Sequence, residues 1–93
     1  MRVVFKSFGP LKRVLGNSQI ELEVPENSTV RTVVEMAIEA GGESLRELIM
    51  QDERISGNLI ILLNKRDVST LQGVETQVNE DDEIAILPHV QGG

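Results

Sequence analysis

Ile84-Ala85-Ile86-Leu87-Pro88-His89-Val90-Gln91-Gly92-Gly93 is the stretch on which the reading of this chain turns. An apolar strand runs through a proline into two glycines that carry a free carboxylate. Glycine loses the most conformational entropy on ordering and has no side chain to pack, so Gly92 and Gly93 do not serve to hold a fold together. Two readings are open. In one, the last residues are a frayed tail. In the other, they are a thread whose side-chain-free end enters a narrow site in another protein, where the carboxylate itself reacts.

Working outward from that strand, Arg2 to Phe8 reads as another, with Val3 and Phe5 on one face and Val4 and Lys6 on the other. Gly9-Pro10 stops it, and Leu11 to Leu15 is long enough for one helical turn. Ile20, Leu22 and Val24 then alternate with Glu21 and Glu23, a half-buried strand that forms a wide hairpin with the first. After the turn Pro25-Glu26-Asn27-Ser28, Thr29 is placed as N-cap of a helix whose Val30, Val33, Val34, Ala37 and Ile38 share one stripe, and Gly41-Gly42 ends it. A second amphipathic segment, Glu43 to about Asp52, offers Leu45, Leu48 and Ile49, with Met50 beside them. Leu59 to Leu63 is a continuous apolar run, and periodicity leaves open which of its residues point inward. Asn64-Lys65-Arg66-Asp67 reads as a turn, with Val68 starting a short strand. Leu71 and Val78 bracket a loop, and Asn79 to Asp82 is a turn delivering Glu83 to Leu87 as the last strand. First and last strands side by side require a long crossover, which the helix supplies. The expected class is α+β: a β-grasp, or ubiquitin-like, mixed sheet of four to five strands, with one main helix on one face and a second short helix. Residues 1–87 make the domain and residues 88–93 a flexible tail.

A length of 93 residues suits one domain with one small core. Phe5 and Phe8 are the only aromatic residues, so that core is aliphatic and the stability expected is in the lower part of roughly 5 to 15 kcal/mol. A net charge of -6 without a long Lys/Arg cluster disfavours nucleic acid. An acidic surface fits a basic protein partner or plain solubility. With no cysteine there is no disulfide, thiolate nucleophile or Cys-based metal site, and no metal site is expected. The run at Val3-Val4-Phe5 is too short for a signal peptide and nothing approaches a membrane span, so a cytoplasmic protein is expected. The acids show no pairing with a base and there is no glycine-rich phosphate loop, so the chain is not expected to be an enzyme by itself.

Over essentially its whole length the sequence resembles the MoaD/ThiS branch of the ubiquitin-like family, which also includes the ubiquitin-related modifier and the small archaeal modifier proteins. The resemblance rests on Val3-Val4-Phe5, Pro25-Glu26-Asn27-Ser28-Thr29-Val30, Leu62 to Val68, and above all Asp82 to Gly93. It departs at Asp81, where the family has glycine before the last strand and where a positive φ is tolerated better by Asp than by most residues. It departs again at His89 and Gln91, where the commoner tail has proline and a small residue.

The resemblance implies that a ubiquitin-activating-type enzyme adenylates the Gly93 carboxylate with ATP, the cofactor belonging to that partner and none being bound here. The acyl adenylate then takes sulfur to give a thiocarboxylate, or passes to a lysine amine to give an isopeptide bond. Gly93 carries the reacting atom and Gly92 gives it access through a channel wide enough only for backbone. Pro88, His89, Val90 and Gln91 form the thread that partners read, and His89 is more simply a solvated tail residue than a base or metal ligand. Val4, Phe8 and Leu87, with part of the Leu59 to Leu63 run, are the candidate docking surface on the sheet face away from the helix; the alternative is that they complete the core. The preferred role is a sulfur carrier, the small subunit of molybdopterin synthase, beside a larger subunit that holds a pterin precursor. A protein modifier joined to target lysines is the alternative, and a ubiquitin-like binding module with an idle tail the third. The free protein is expected to be a monomer.

Overall fold

The chain, in a computed structural model, is described over residues 1–88. β1 (Arg2–Ser7) buries Val3, Phe5 and Ser7 on one face and leaves Val4 and Lys6 half-buried on the other. α1 (Pro10–Leu15) is the expected single turn: Pro10 sits in its first turn and only Leu11 is fully buried. β2 (Gln19–Glu23) pairs antiparallel with β1 and turns Leu22 inward. Thr29 caps α2 (Val30–Gly41), its hydroxyl accepting from the Thr32 N–H, and the stripe Val30, Val33, Val34, Ala37 and Ile38 is buried against the sheet.

α3 (Glu43–Ile49) is shorter than the sequence suggests. Leu45 and Ile49 are buried but Leu48 is 36% exposed, so the stripe is narrower than expected. Instead of continuing to Asp52, the chain forms a small hairpin, β3 (Met50–Gln51) with β4 (Arg54–Ile55), through Asp52 and Glu53 at φ 51 and 65. That left-handed pair is a turn an α-helix cannot contain.

β5 (Leu59–Leu63) turns Ile61 and Leu63 into the core and leaves Ile60 and Leu62 half-buried on the open face. Asn64 and Lys65, both left-handed, connect it to β6 (Arg66–Asp67). The expected strand at Val68 is instead a 3-10 turn, Val68–Thr70, which drops Val68 into the core. A second 3-10 turn spans Gly73–Glu75. β7 (Glu83–Pro88) closes the sheet.

The sheet is five-stranded and mixed, in the order β2-β1-β7-β5-β6. β7 lies at its centre, parallel to β1 and antiparallel to β5, with Ile84 and Ile86 completely buried. The three helices α1, α2 and α3 close the core formed by the inward residues, and the other face of the sheet is left open. No helix among the described residues is long and apolar enough to cross a membrane.

Candidate functional site

Strand parity and register build the site. Side chains alternate across a strand, so with Ile84 and Ile86 inward, Glu83, Ala85 and Leu87 of β7 share the open face. Ala85 stands in register with Lys6 on β1 and with Leu62 on β5, and Leu87 stands opposite Ile60. Phe8, just beyond β1 and 43% exposed, completes the group. Phe8, Leu62, Ala85 and Leu87 line a shallow apolar depression of about 160 Å³, rimmed by Lys65 and by the ion pair between Lys6 Nζ and Glu83 Oε2 at 2.9 Å. Small-molecule sites are usually about 300–1,000 Å³. A depression this small and open suits a side chain presented by another protein.

The end of β7 has a fixed place on the sheet. β7 is parallel to β1, so Pro88 ends the strand on the side where β1 ends, and it is in register with Leu59 at the start of β5. The Pro88 end of β7 therefore lies beside the depression. His89, Val90, Gln91, Gly92 and Gly93, named from the sequence as thread and reacting terminus, lie outside the described residues.

Of the named surface residues, the fold brings Phe8 and Leu87 together with Leu62. Val4 shares their face but stands apart, in register with Glu83 and Glu21 at the opposite end of β7 from Leu87. Ala85 escaped sequence reading, although it lies between two inward isoleucines, which is the parity signal that places a residue outside. Its small side chain is what leaves the hollow between Phe8, Leu62 and Leu87.

The turn ahead of β7 is held by polar contacts. Asn64 Oδ1 accepts from the Glu83 N–H (2.9 Å) while Asn64 Nδ2 donates to Asp82 Oδ1 (3.0 Å), so the β5–β6 turn is tied to the start of β7. Asp81 takes φ 67, the left-handed conformation its position requires, and accepts from Arg2 Nη2 at 2.8 Å. Hydrogen bonding to Asp81, with the charges of Glu21 and Asp81 beside it, raises the affinity of the Arg2 guanidinium for its proton.

No cluster of His, Asp or Glu able to hold a metal ion occurs among the described residues. Wider hollows surround the β3–β4 hairpin, one of them lined by Arg31, Arg54 and Ile61, and they contain no nucleophile paired with a base.

The ThiS family signature matches residues 6–93. The chain belongs to the ThiS family. A protein of Archaeoglobus fulgidus whose name proposes a sulfur-carrier role is 32% identical over 77 residues, 82% of this chain and 88% of its own length. Small archaeal modifier protein 3 of Haloferax volcanii is 27% identical over 93 residues, all of both chains. Among solved structures, SAMP1 of Haloferax volcanii superposes with a TM-score of 0.88 at 21% identity over the whole of both chains, a likeness of fold. In this ThiS-family chain the mixed sheet and its helices are therefore the ubiquitin-like β-grasp expected from the sequence.

Proposed function

We propose that this ThiS-family protein is a sulfur carrier. An adenylating enzyme of the ubiquitin-activating type activates the carboxyl group of Gly93, and sulfur replaces the adenylate to leave a thiocarboxylate. The observation that carries this reading is the family match, which runs through the tail to Gly93. A carboxylate is a poor electrophile. Transfer of AMP from ATP, with release of pyrophosphate, supplies the leaving group, and a sulfur donor then displaces AMP. Gly92 and Gly93 let the thread pass where a side chain would clash. The catalytic groups and the ATP belong to the partner, and this chain is its substrate.

The depression at Phe8, Leu62, Ala85 and Leu87 is the proposed docking point, because it lies on the open sheet face beside the strand end that leads into the thread. The proposed acceptor of the sulfur is a pterin precursor held by the large subunit of a molybdopterin synthase, this chain being the small subunit.

A second reading, conjugation of Gly93 to lysines of target proteins, is favoured by the end-to-end match to a small archaeal modifier protein. The same acyl adenylate serves both. Pyrophosphate exchange with the activating enzyme of the source cells tests the shared step. The intact protein is expected to support exchange and a chain lacking Gly92 and Gly93 to give none; equal exchange by both would leave the tail idle and overturn both readings. A peptide in which Gly93 is joined to a lysine side chain would establish the modifier role.

A further inference from the structure

β2 forms one margin of the sheet, and its ladder to β1 shows which backbone groups it leaves unused. The Met1 amino group donates to the Val24 carbonyl (2.7 Å), the Val24 N–H donates to the Met1 carbonyl (2.8 Å), and the Ser7 N–H donates to the Ser18 carbonyl (2.9 Å). In an antiparallel ladder alternate residues face the partner strand. Leu22 and Ile20 thus bond to Val3 and Phe5, and Gln19, Glu21 and Glu23 turn their N–H and C=O groups to the open edge. Among the described residues no partner meets these backbone groups.

The two sides of this edge differ in chemistry. On the open sheet face Glu21 and Glu23 are exposed, and Glu80 and Asp81 lie close by around Arg2. On the helix side Ile20 is half-buried and Leu22 is buried. α2 packs over this side of the sheet against β1 and β2.

We infer that the open edge of β2 accepts an extended peptide in which Lys or Arg alternates with aliphatic residues. Paired antiparallel, such a strand places its basic side chains opposite Glu21 and Glu23 and its aliphatic ones beside Ile20 and Leu22. A second copy of this chain is a poor occupant. Antiparallel pairing of two β2 edges over their full length sets Glu21 against Glu21, and like charges directly opposite are destabilising. The edge is therefore guarded against itself and complementary to a basic strand, and this inference stands apart from the chemistry of Gly93.

The test is an NMR titration of the full chain with a capped peptide of about nine residues alternating lysine and valine, a length that covers β2. Two variants separate strand addition from plain attraction between opposite charges. Glu21→Gln removes the charge. Glu21→Pro also removes an edge-facing N–H that the β1 ladder does not use, a change tolerated on an edge strand. Binding about tenfold weaker for Glu21→Pro than for Glu21→Gln, with slowed amide exchange at Gln19, Glu21 and Glu23 in the unmodified protein, is the expected result. Equal affinity of the two variants, or unchanged exchange at those amides, would overturn strand addition. Should Glu21→Pro fail to fold, the exchange measurement alone decides.

Discussion

Gly41 shows that the same substitution can take either sign according to what surrounds it. In the last turn of α2, glycine is a weak helix former, and alanine would ordinarily gain about 1 kcal/mol. Here a Cβ would stand 2.5 Å from Leu45 Cδ2 and 2.8 Å from Leu45 Cβ, with Leu15 also in the way. Leu45 is itself completely buried and has no room to yield. Gly41→Ala is expected to destabilise by about 1–3 kcal/mol, read from urea unfolding. Asp81 is the opposite case, a side chain at a glycine-like φ of 67. Its polar group tolerates the conformation and reaches Arg2, whereas a β-branched residue does neither. Asp81→Val is expected to cost about 1–3 kcal/mol, and Asp81→Gly less because the backbone strain disappears while only an exposed ion pair is lost. Equal losses for the two in the same unfolding experiment would show that the ion pair matters more than the backbone.

At the scale of elements, caps decide where segments begin. Thr29 accepts from the Thr32 N–H at the start of α2, and Thr29→Ala is expected to cost about 1 kcal/mol in thermal or urea unfolding. Asp67 caps the 3-10 turn that carries buried Val68: the Ser69 N–H donates to its carboxylate (2.9 Å) and holds the carboxyl below its ordinary range. A carboxyl depressed in the folded state contributes stability above its unfolded pKa and loses it as pH falls through the folded value. The Asp67 contribution is thus present at neutral pH and disappears below about pH 4. Asp67→Asn is expected to flatten that part of the stability–pH curve; an unchanged acid limb would remove the cap from the account. The Thr29 cap and the α2 stripe were legible in the sequence because both depend on neighbours a few residues away. The end of α3 was not. Leu45, Leu48, Ile49 and Met50 fit a helical stripe, and the turn at Asp52-Glu53 lacks the Asn-Gly or Asp-Gly pair that advertises a left-handed hairpin. Nor did the Leu59 to Leu63 run reveal its inward residues, since every position is apolar; the open far face of the sheet decides that Ile61 and Leu63 go in while Ile60 and Leu62 stay out.

For the whole molecule, the β-grasp order followed from the sequence because a first and last strand side by side leave the helix as crossover, and the structure pairs β1 with β7 in parallel. The face of Val4, Phe8 and Leu87 was legible from parity, but their grouping depended on register, which joins Phe8 and Leu87 to Leu62 and sets Val4 among Glu21 and Glu83. This yields a graded prediction for docking. Leu62→Asp is expected to preserve the fold, as Leu62 is only half-buried, and to reduce activation at least about tenfold; Val4→Ala is expected to change it by less than about twofold. The reverse order would move the docking surface to the other end of the sheet.

The proposed chemistry takes place at Gly93. The most direct measurement is the intact mass of the protein purified from its native cells with the carboxyl end untagged, followed by mapping of that end after cleavage at glutamate, since no Lys or Arg follows Arg66. A sulfur carrier is expected to yield a species heavier by the exchange of one oxygen for sulfur, with the change confined to Gly93. Finding only the free acid, even after incubation with ATP, a sulfur donor and the activating enzyme, would contradict it.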